Sequence, residues 1–326
     1  MAKICFKEVR DYISKTHNKE YNQEFKSLQK RRFFKIIGDI AKGPSFYKYF
    51  PMDTAIKCLE NESIAVVEPS RWNDAYESLY YEADYSQVST KYNTHPRVFA
   101  TCVTNKKYDE PAWRIYSGDD NVCVQFELDR PKFRLALLKA LKDKDSIYEG
   151  EVQYASKGTI ESICKRQKKN SSGILIDNGF YFDFIGHGGA PFSIDNYLNL
   201  LLVKRTDFTH EQETRFFIIK YEDLNKKEGK AKEEKHEVSD ATKRNFIVNR
   251  GAVEVLKNIH WIDILKSITI NVKDDSYQYK LLENTVNAII DKNVKDPTKN
   301  ANYRKKLKPI SYLVYGTTPA KVTIDR

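Results

Sequence analysis

The sequence predicts an α+β chain, and three observations carry that expectation. Apolar runs of strand length recur through the middle, at Val98 to Thr104, Val122 to Leu128 and Thr214 to Ile219. Residues at helical spacing stand before, between and after these runs, over 3–39, 131–144 and 277–290. Hydrophobic residues make up 40% of the chain and charged residues 31%, which suits a packed fold and argues against wholesale disorder.

The opening stretch places Ile4, Val9, Ile13, Phe25, Leu28, Phe33 and Ile37 at roughly helical intervals. Gly43-Pro44-Ser45 breaks that pattern. Strands are then expected at Phe46 to Phe50 and Ser63 to Val67, with helical turns over Thr54 to Glu60 between them. Pro69 to Asp74 reads as a turn rich in capping residues. After the strands at Val98 and Val122, a helix is expected from Pro131 to Lys144 and a strand from Glu151 to Tyr154. A basic helix ending near Lys169, a loop at Gly186-His187-Gly188-Gly189 and a helix over Leu198 to Lys204 follow. Residues 222–236 are almost all charged and read as an exposed loop. Val248 to Leu256 and Tyr277 to Ile290 look helical, with strands at Ile268 to Ile270 and near the C terminus. No internal repeat is present. The organisation expected is a helical segment over 1–45, a core over 46–275 with a helical insertion at about 130–205, and a C-terminal helix and strand over 276–326.

Charge narrows the function classes. Lysine and arginine number 55 against 45 aspartates and glutamates, a formal net charge of +10. That balance attracts polyanions, nucleic acid above all, and the 21 tyrosines add stacking surfaces beside the lysines. The five cysteines (Cys5, Cys58, Cys102, Cys123, Cys164) are odd in number and scattered, with no C-x-x-C pair. Neither a zinc ribbon nor a disulfide framework is supported, so a reducing compartment is expected. Cys102 and Cys123 lie in strand-like runs and read as buried, inert thiols. The longest apolar run near the start, Phe33 to Ile37, is too short for a signal peptide or a membrane helix, so a cytoplasmic protein with no membrane partner is expected.

Four clusters can carry chemistry. Tyr47-Lys48-Tyr49 sits on a strand, and an ordinary amphipathic strand explains it equally. Arg71-Trp72-Asn73-Asp74-Ala75-Tyr76-Glu77 sets a large indole against polar turn residues, and it also fits a capped helix start. Pro111 to Gly118 brings Trp113, Arg114 and Tyr116 together, either as a clamp for a planar ring and a phosphate or as a core corner. The fourth, Thr209-His210-Glu211-Gln212-Glu213-Thr214-Arg215, leads into the most apolar strand. Strand alternation puts Glu211, Glu213 and Arg215 on one face and Thr214 and Phe216 on the other. Two carboxylates so close repel each other, an arrangement suited to cations, hydroxyls or proton transfer, and a solvated edge on which Arg215 neutralises a glutamate also explains it.

Taken in order, these clusters resemble a bacterial family of unknown function. Its motifs are a Tyr-Lys/Arg-Tyr strand, a W-N-D-x-Y-E turn, an M-W-x-x-Y-S/A segment and a late E-x-E-x-R strand. Here they read Tyr47-Lys48-Tyr49, Trp72 to Glu77, Ala112 to Ser117 and Glu211 to Arg215, spanning about 46–270. Ala75 and Ala112 stand where that family has proline and methionine. The layout is also similar to the ADP-ribosyltransferase superfamily, and within it to the toxins of toxin–antitoxin–chaperone anti-phage systems, which act on messenger RNA. That resemblance implies a split mixed or antiparallel sheet flanked by helices, with NAD as substrate and no metal. It implies an RNA or single-stranded nucleic acid target, and an antitoxin protein and a SecB-like chaperone as partners. Glu213 would steady the oxocarbenium character that develops as the nicotinamide–ribose bond breaks, and Glu211 would orient or deprotonate the acceptor. NAD would be held by Tyr47, Lys48, Tyr49, Thr101, Thr104, Trp113 and Arg114, and nucleic acid by Trp72, Asn73 and Arg215. Lys48 replaces the usual arginine or histidine of the first strand and lacks the planar fork of arginine.

Two other classes remain open at the level of sequence. A metal-dependent nuclease could draw on Asp74, Glu77 and the Glu211/Glu213 pair, although no D-x-n-(D/E)-x-K spacing is present. A non-enzymatic RNA-binding or antitoxin-like module needs only the basic surface.

Overall fold

The computed structural model describes residues 33–37, 43–72, 74, 77, 94–107, 109–117, 122–142, 145–161, 174–176, 180–182, 198, 201–223 and 253–312. The chain is mixed α/β, with a mostly antiparallel open sheet flanked by helices. It divides into two compact units that interleave in sequence. The first takes Met1–Lys42, Ala65–Cys102 and Leu141–Val255, and the second Gly43–Ile64, Val103–Ala140 and Leu256–Arg326.

In the first unit, β1 (Phe33–Ile37) pairs in parallel with β6 (Ser146–Glu151), which pairs antiparallel with β11 (Glu213–Asp223). β11 neighbours β4 (Thr94–Thr104), where Ala100 pairs with Val67 of β3 (Ser63–Val67). Phe216, Phe217, Ile218 and Ile219 of β11 are all fully buried. A strand covered on both faces needs such a continuous apolar run, and that is why it was legible in the sequence. A second, short ladder joins β7 (Gln153–Ala155) to β10 (Val203–Arg205) in parallel, and β8 (Ile174–Ile176) pairs antiparallel with β9 (Phe180–Phe182). Val152 N donates to Glu213 O at 2.9 Å and Gln153 N to Leu202 O at 2.7 Å, which ties β10 to the mouth of β11.

Gly150 of β6 lies opposite Arg215 in the ladder, and a Cβ there would run into the buried Leu202 side chain. Overpacking of this kind costs about 1–3 kcal/mol. Gly150→Ala is therefore expected to lower the unfolding free energy by that amount, read from a fall in the denaturant midpoint at unchanged m, and an unchanged midpoint would show that Leu202 moves aside freely.

In the second unit, β2 (Ser45–Pro51) pairs antiparallel with β5 (Cys123–Asp129), and β5 pairs antiparallel with β13 (Leu265–Ile270). β14 (Ile310–Ser311) adds in parallel to β13. The helices are α1 (Met52–Glu60), α2 (Glu110–Ile115), α3 (Arg130–Ala140), α4 (Trp261–Ile264), α5 (Tyr277–Asn293) and α6 (Pro297–Leu307). The core gathers Phe46, Phe126, Phe133 and Trp261, with the Phe126 and Trp261 rings 5.4 Å apart and edge-on. The buried indole Nε1 donates to Cys58 O at 2.8 Å, so the polar end of Trp261 is satisfied.

Some elements differ from expectation. Residues 33–37 form a strand, because Phe-Phe-Lys-Ile-Ile is aromatic and β-branched and finds β6 as a partner. Of the helical stretch expected over 130–205, α3 and residues 157–161 are helix, the latter where the basic helix was expected, and β6 to β10 also fall within it. Val203–Arg205 is strand rather than the end of a helix. β12 (Val253–Lys257) stands where a helix was expected, pairs with β3, and leaves Val253 and Val255 exposed. α6 was missed because Leu307 is its one buried residue, but Asp296 caps it by accepting from Lys299 N at 2.9 Å. No helix among the described residues is long and apolar enough to cross a membrane.

Candidate active site

The first unit holds a buried ionic cluster at the mouth of β11. Thr206–Glu211 forms a 3-10 helix, and Gln212 follows in the left-handed region at φ 43°. That conformation costs a non-glycine residue free energy and marks a position the surroundings over-determine. Here it breaks the alternation expected from sequence. Glu211 ends the 3-10 helix while Glu213 begins the strand, yet the turn at Gln212 aims both carboxylates at one ammonium. Lys204 Nζ of β10 lies 2.7 Å from Glu211 Oε2, 3.2 Å from Glu213 Oε2 and 3.3 Å from Glu77 Oε1.

Arg215, 1% exposed, closes the other side. Its Nε donates to Glu213 Oε1 at 2.9 Å, and its Nη2 to Glu213 Oε2 at 3.0 Å and Glu77 Oε1 at 3.1 Å. Nη1 donates to Leu201 O, and the guanidinium lies 4.0 Å from the centre of the Trp72 ring. A planar fork can donate to both oxygens of one carboxylate and to a second carboxylate while lying flat on the indole, a geometry that a point-charge ammonium lacks. Arg215 is thus held inside the cluster, so its expected role as a nucleic-acid contact is corrected. Tyr154 Oη accepts from Glu213 N at 3.0 Å, and the Cys102 thiol hydrogen-bonds the Glu213 side chain. Arg205 Nε meets Asp74 Oδ2 at 3.2 Å beside the cluster.

The environment pushes the two glutamates in opposite directions. Burial works to raise Glu213, but Arg215 and Lys204 outweigh it and hold the carboxyl at about 2. Glu211 is raised: burial is the largest cause, the Lys204 charge opposes it, and the Glu213 and Glu77 charges add to it. Burial lifts the Tyr154 hydroxyl to about 12. For Lys204 burial works downward, but the three carboxylates prevail and the ammonium stays charged. With every group ionised, three anions face two cations, and Glu211 is the member that gains from a proton.

The other assigned residues sort differently. Thr101 is buried on the β4 face opposite Cys102, so Cys102, not Thr101, reaches Glu213. Cys123 is a buried thiol raised to about 12, as the sequence suggested, whereas Cys102 is half-buried and polar-partnered. Asn73 and the Gly186-His187-Gly188-Gly189 loop lie outside the described residues.

Tyr47, Lys48, Tyr49, Thr104, Trp113 and Arg114 belong to the second unit. There Tyr49 donates its hydroxyl to Lys107 O at 3.1 Å and accepts from Gln125 Nε2 at 2.6 Å and Asp109 N at 3.1 Å. It meets Trp113, 1% exposed, edge-on at 5.1 Å. Both rings are core, so neither can stack on nicotinamide or a base, and those two assignments are corrected. Thr104 Oγ1 accepts from Lys106 N at 3.0 Å, Lys48 Nζ lies 5.2 Å from the Phe50 ring centre, and Arg114 pairs with Glu110 at 2.7 Å on the surface. Tyr47 is half-buried in the sheet, opposite Glu127.

No protein family, curated protein or solved structure matches this chain.

Chemistry is therefore read from the cluster alone. Among the described residues no group of His, Cys, Asp and Glu is arranged to hold a metal ion, and the Lys204 ammonium occupies the point on which the three carboxylates converge. Lys204 escaped the sequence reading. The signal was a lysine closing the apolar run Leu200-Leu201-Leu202-Val203, seven residues before the first glutamate of the pair.

Proposed function

We propose that this chain is an ADP-ribosyltransferase that uses NAD as its donor and modifies nucleic acid, RNA ahead of single-stranded DNA. In this reading it has the split sheet of that superfamily. It serves as an anti-phage toxin in the cytoplasm, restrained by a protein antitoxin with a SecB-like chaperone. One observation carries the proposal: two glutamates on one lysine have environments that drive their proton affinities apart. Separated carboxyls of this kind divide an acid–base role from an electrostatic one. Glu213, anionic at any physiological pH, offers fixed negative charge to a cationic transition state. Glu211, whose side chain is 20% exposed, is the group able to take and return a proton. The excess of positive charge supports a polyanionic target. Tyr49 and Trp113 have no part in donor binding, and no step is assigned to them.

A second reading, a nucleic-acid-binding module without chemistry, is favoured by the bonds that Arg215 already makes to both Glu213 oxygens. Incubation with labelled NAD and total RNA separates the two. Transfer predicts label on RNA without added magnesium. The binding module predicts no label, but an affinity that falls with salt at a slope of roughly −0.7 per phosphate contacted. RNA cleavage that needs magnesium and ignores NAD would overturn both in favour of a nuclease.

A further inference from the structure

The transfer reading leaves the residue at the centre of the cluster without a role. Lys204 presents three N–H donors, and three carboxylates stand around it, on Glu211 at 2.7 Å, Glu213 at 3.2 Å and Glu77 at 3.3 Å. Its ammonium also lies 4.7 Å from the centre of the Phe208 ring. The carboxylates differ in access: the Glu77 and Glu213 side chains are 5% and 8% exposed, the Glu211 side chain 20%. Lys204 therefore ties the one carboxylate that reaches outward to two that do not. It is not placed to attack or to accept a proton, because its charge is fixed by three anions.

We propose that Lys204 is a positioning residue, a three-way ammonium clamp that fixes the Glu211 carboxylate against Glu77 and Glu213 and keeps it ionised in a half-buried setting. The inference deepens the transfer reading, since a protonated Glu211 cannot take a proton from an acceptor. Burial and two neighbouring anions press Glu211 toward the neutral acid, and the lysine is the charge that opposes them. Other titratable groups face the same space. Arg215 pairs with Glu213 and Glu77, Arg205 with Asp74 and Asp207, and Tyr154 and Cys102 bond Glu213. His210 precedes Glu211 on the 3-10 helix, with Nε2 buried. Lys204 contacts the Glu211 carboxylate directly, at 2.7 Å.

The test is a carbon-13 carboxyl NMR titration of the full chain as wild type, Lys204→Met and Lys204→Arg. Removing an opposite charge at contact distance raises a carboxyl pKa by about 1–3. In folded Lys204→Met the Glu211 midpoint should therefore rise by about one pH unit or more, while Lys204→Arg should stay near wild type. An unchanged midpoint in folded Lys204→Met overturns the proposal. If Lys204→Met does not fold, the wild type decides. A clamped ammonium gives a slowly exchanging lysine resonance with hydrogen-bond couplings to the Glu211 and Glu213 carboxyl carbons, and a fast-exchanging one without couplings overturns the clamp. None of these readouts requires activity, so failure of the wild type to label RNA sinks the transfer reading separately.

Discussion

Arg215→Met is expected to lose about 3–5 kcal/mol of stability, the cost of removing one partner from a buried ion pair. The size follows from what the guanidinium leaves behind. Four hydrogen bonds disappear, to both oxygens of Glu213, to Glu77 and to the Leu201 carbonyl. Two buried carboxylates then share a single cation, Lys204. Methionine fills much of the space beside Trp72, so the loss reports charge and hydrogen bonding more than volume. Replacing Glu213 by Gln in the same chain should return part of the loss, because one of the stranded charges goes with it. The wild type should also show the acid signature of the cluster. The Glu213 carboxyl sits at about 2 in the folded chain against an ordinary 4.5, so its stabilisation is present above 4.5 and lost as pH falls toward 2. Urea unfolding at neutral pH and near pH 3 checks both statements. A neutral-pH loss under about 1 kcal/mol would place the cluster with solvated ion pairs.

What the sequence disclosed, and what it hid, divides along physical lines. β11 was legible because a strand covered on both faces needs an unbroken apolar run, and β3 and β5 because apolar and β-branched residues recur in them between turn residues. The Glu211/Glu213 pair was legible because repelling carboxylates at the mouth of such a run ask for an explanation. Two kinds of fact were not. Aromatic residues beside lysines serve equally as core and as stacking platforms. What makes Tyr49 core is a bond to Gln125, 76 positions away, which no local pattern contains. Lys204 was hidden for the same reason. A lysine at the end of an apolar run reads as a solvated helix end until β10 pairs with β7 and turns it toward Glu77, from a distant part of the chain. β12 misled the other way, since Val253 and Val255 are exposed and its alternation carries no core signal. Local texture thus gave the elements, while the cluster depends on which distant segments meet.

The two glutamates should separate in function. If Glu213 supplies the charge that steadies bond cleavage in the donor, Glu213→Gln should lose both nicotinamide release and RNA labelling. The loss should be on the order of a hundredfold or more, as for other single electrostatic groups. Glu211→Gln should lose RNA labelling but keep slow nicotinamide release, with water in place of the acceptor, because its work is on the incoming nucleophile. Stability distinguishes these roles from a purely structural one. Glu213→Gln removes an anion held below its ordinary range by Arg215 and Lys204, so it should destabilise the chain at neutral pH. Glu211 is raised, so its ionisation opposes folding as pH climbs through its folded value. Glu211→Gln should therefore leave the neutral-pH melting temperature unchanged or higher. A structural ion cluster predicts instead that both variants lose activity in step with their melting temperatures. Measuring nicotinamide release, RNA labelling and thermal melting on the same preparations decides between them. Equal losses in both assays, tracking a lower melting temperature in each variant, would end the division of labour drawn from Glu211 and Glu213.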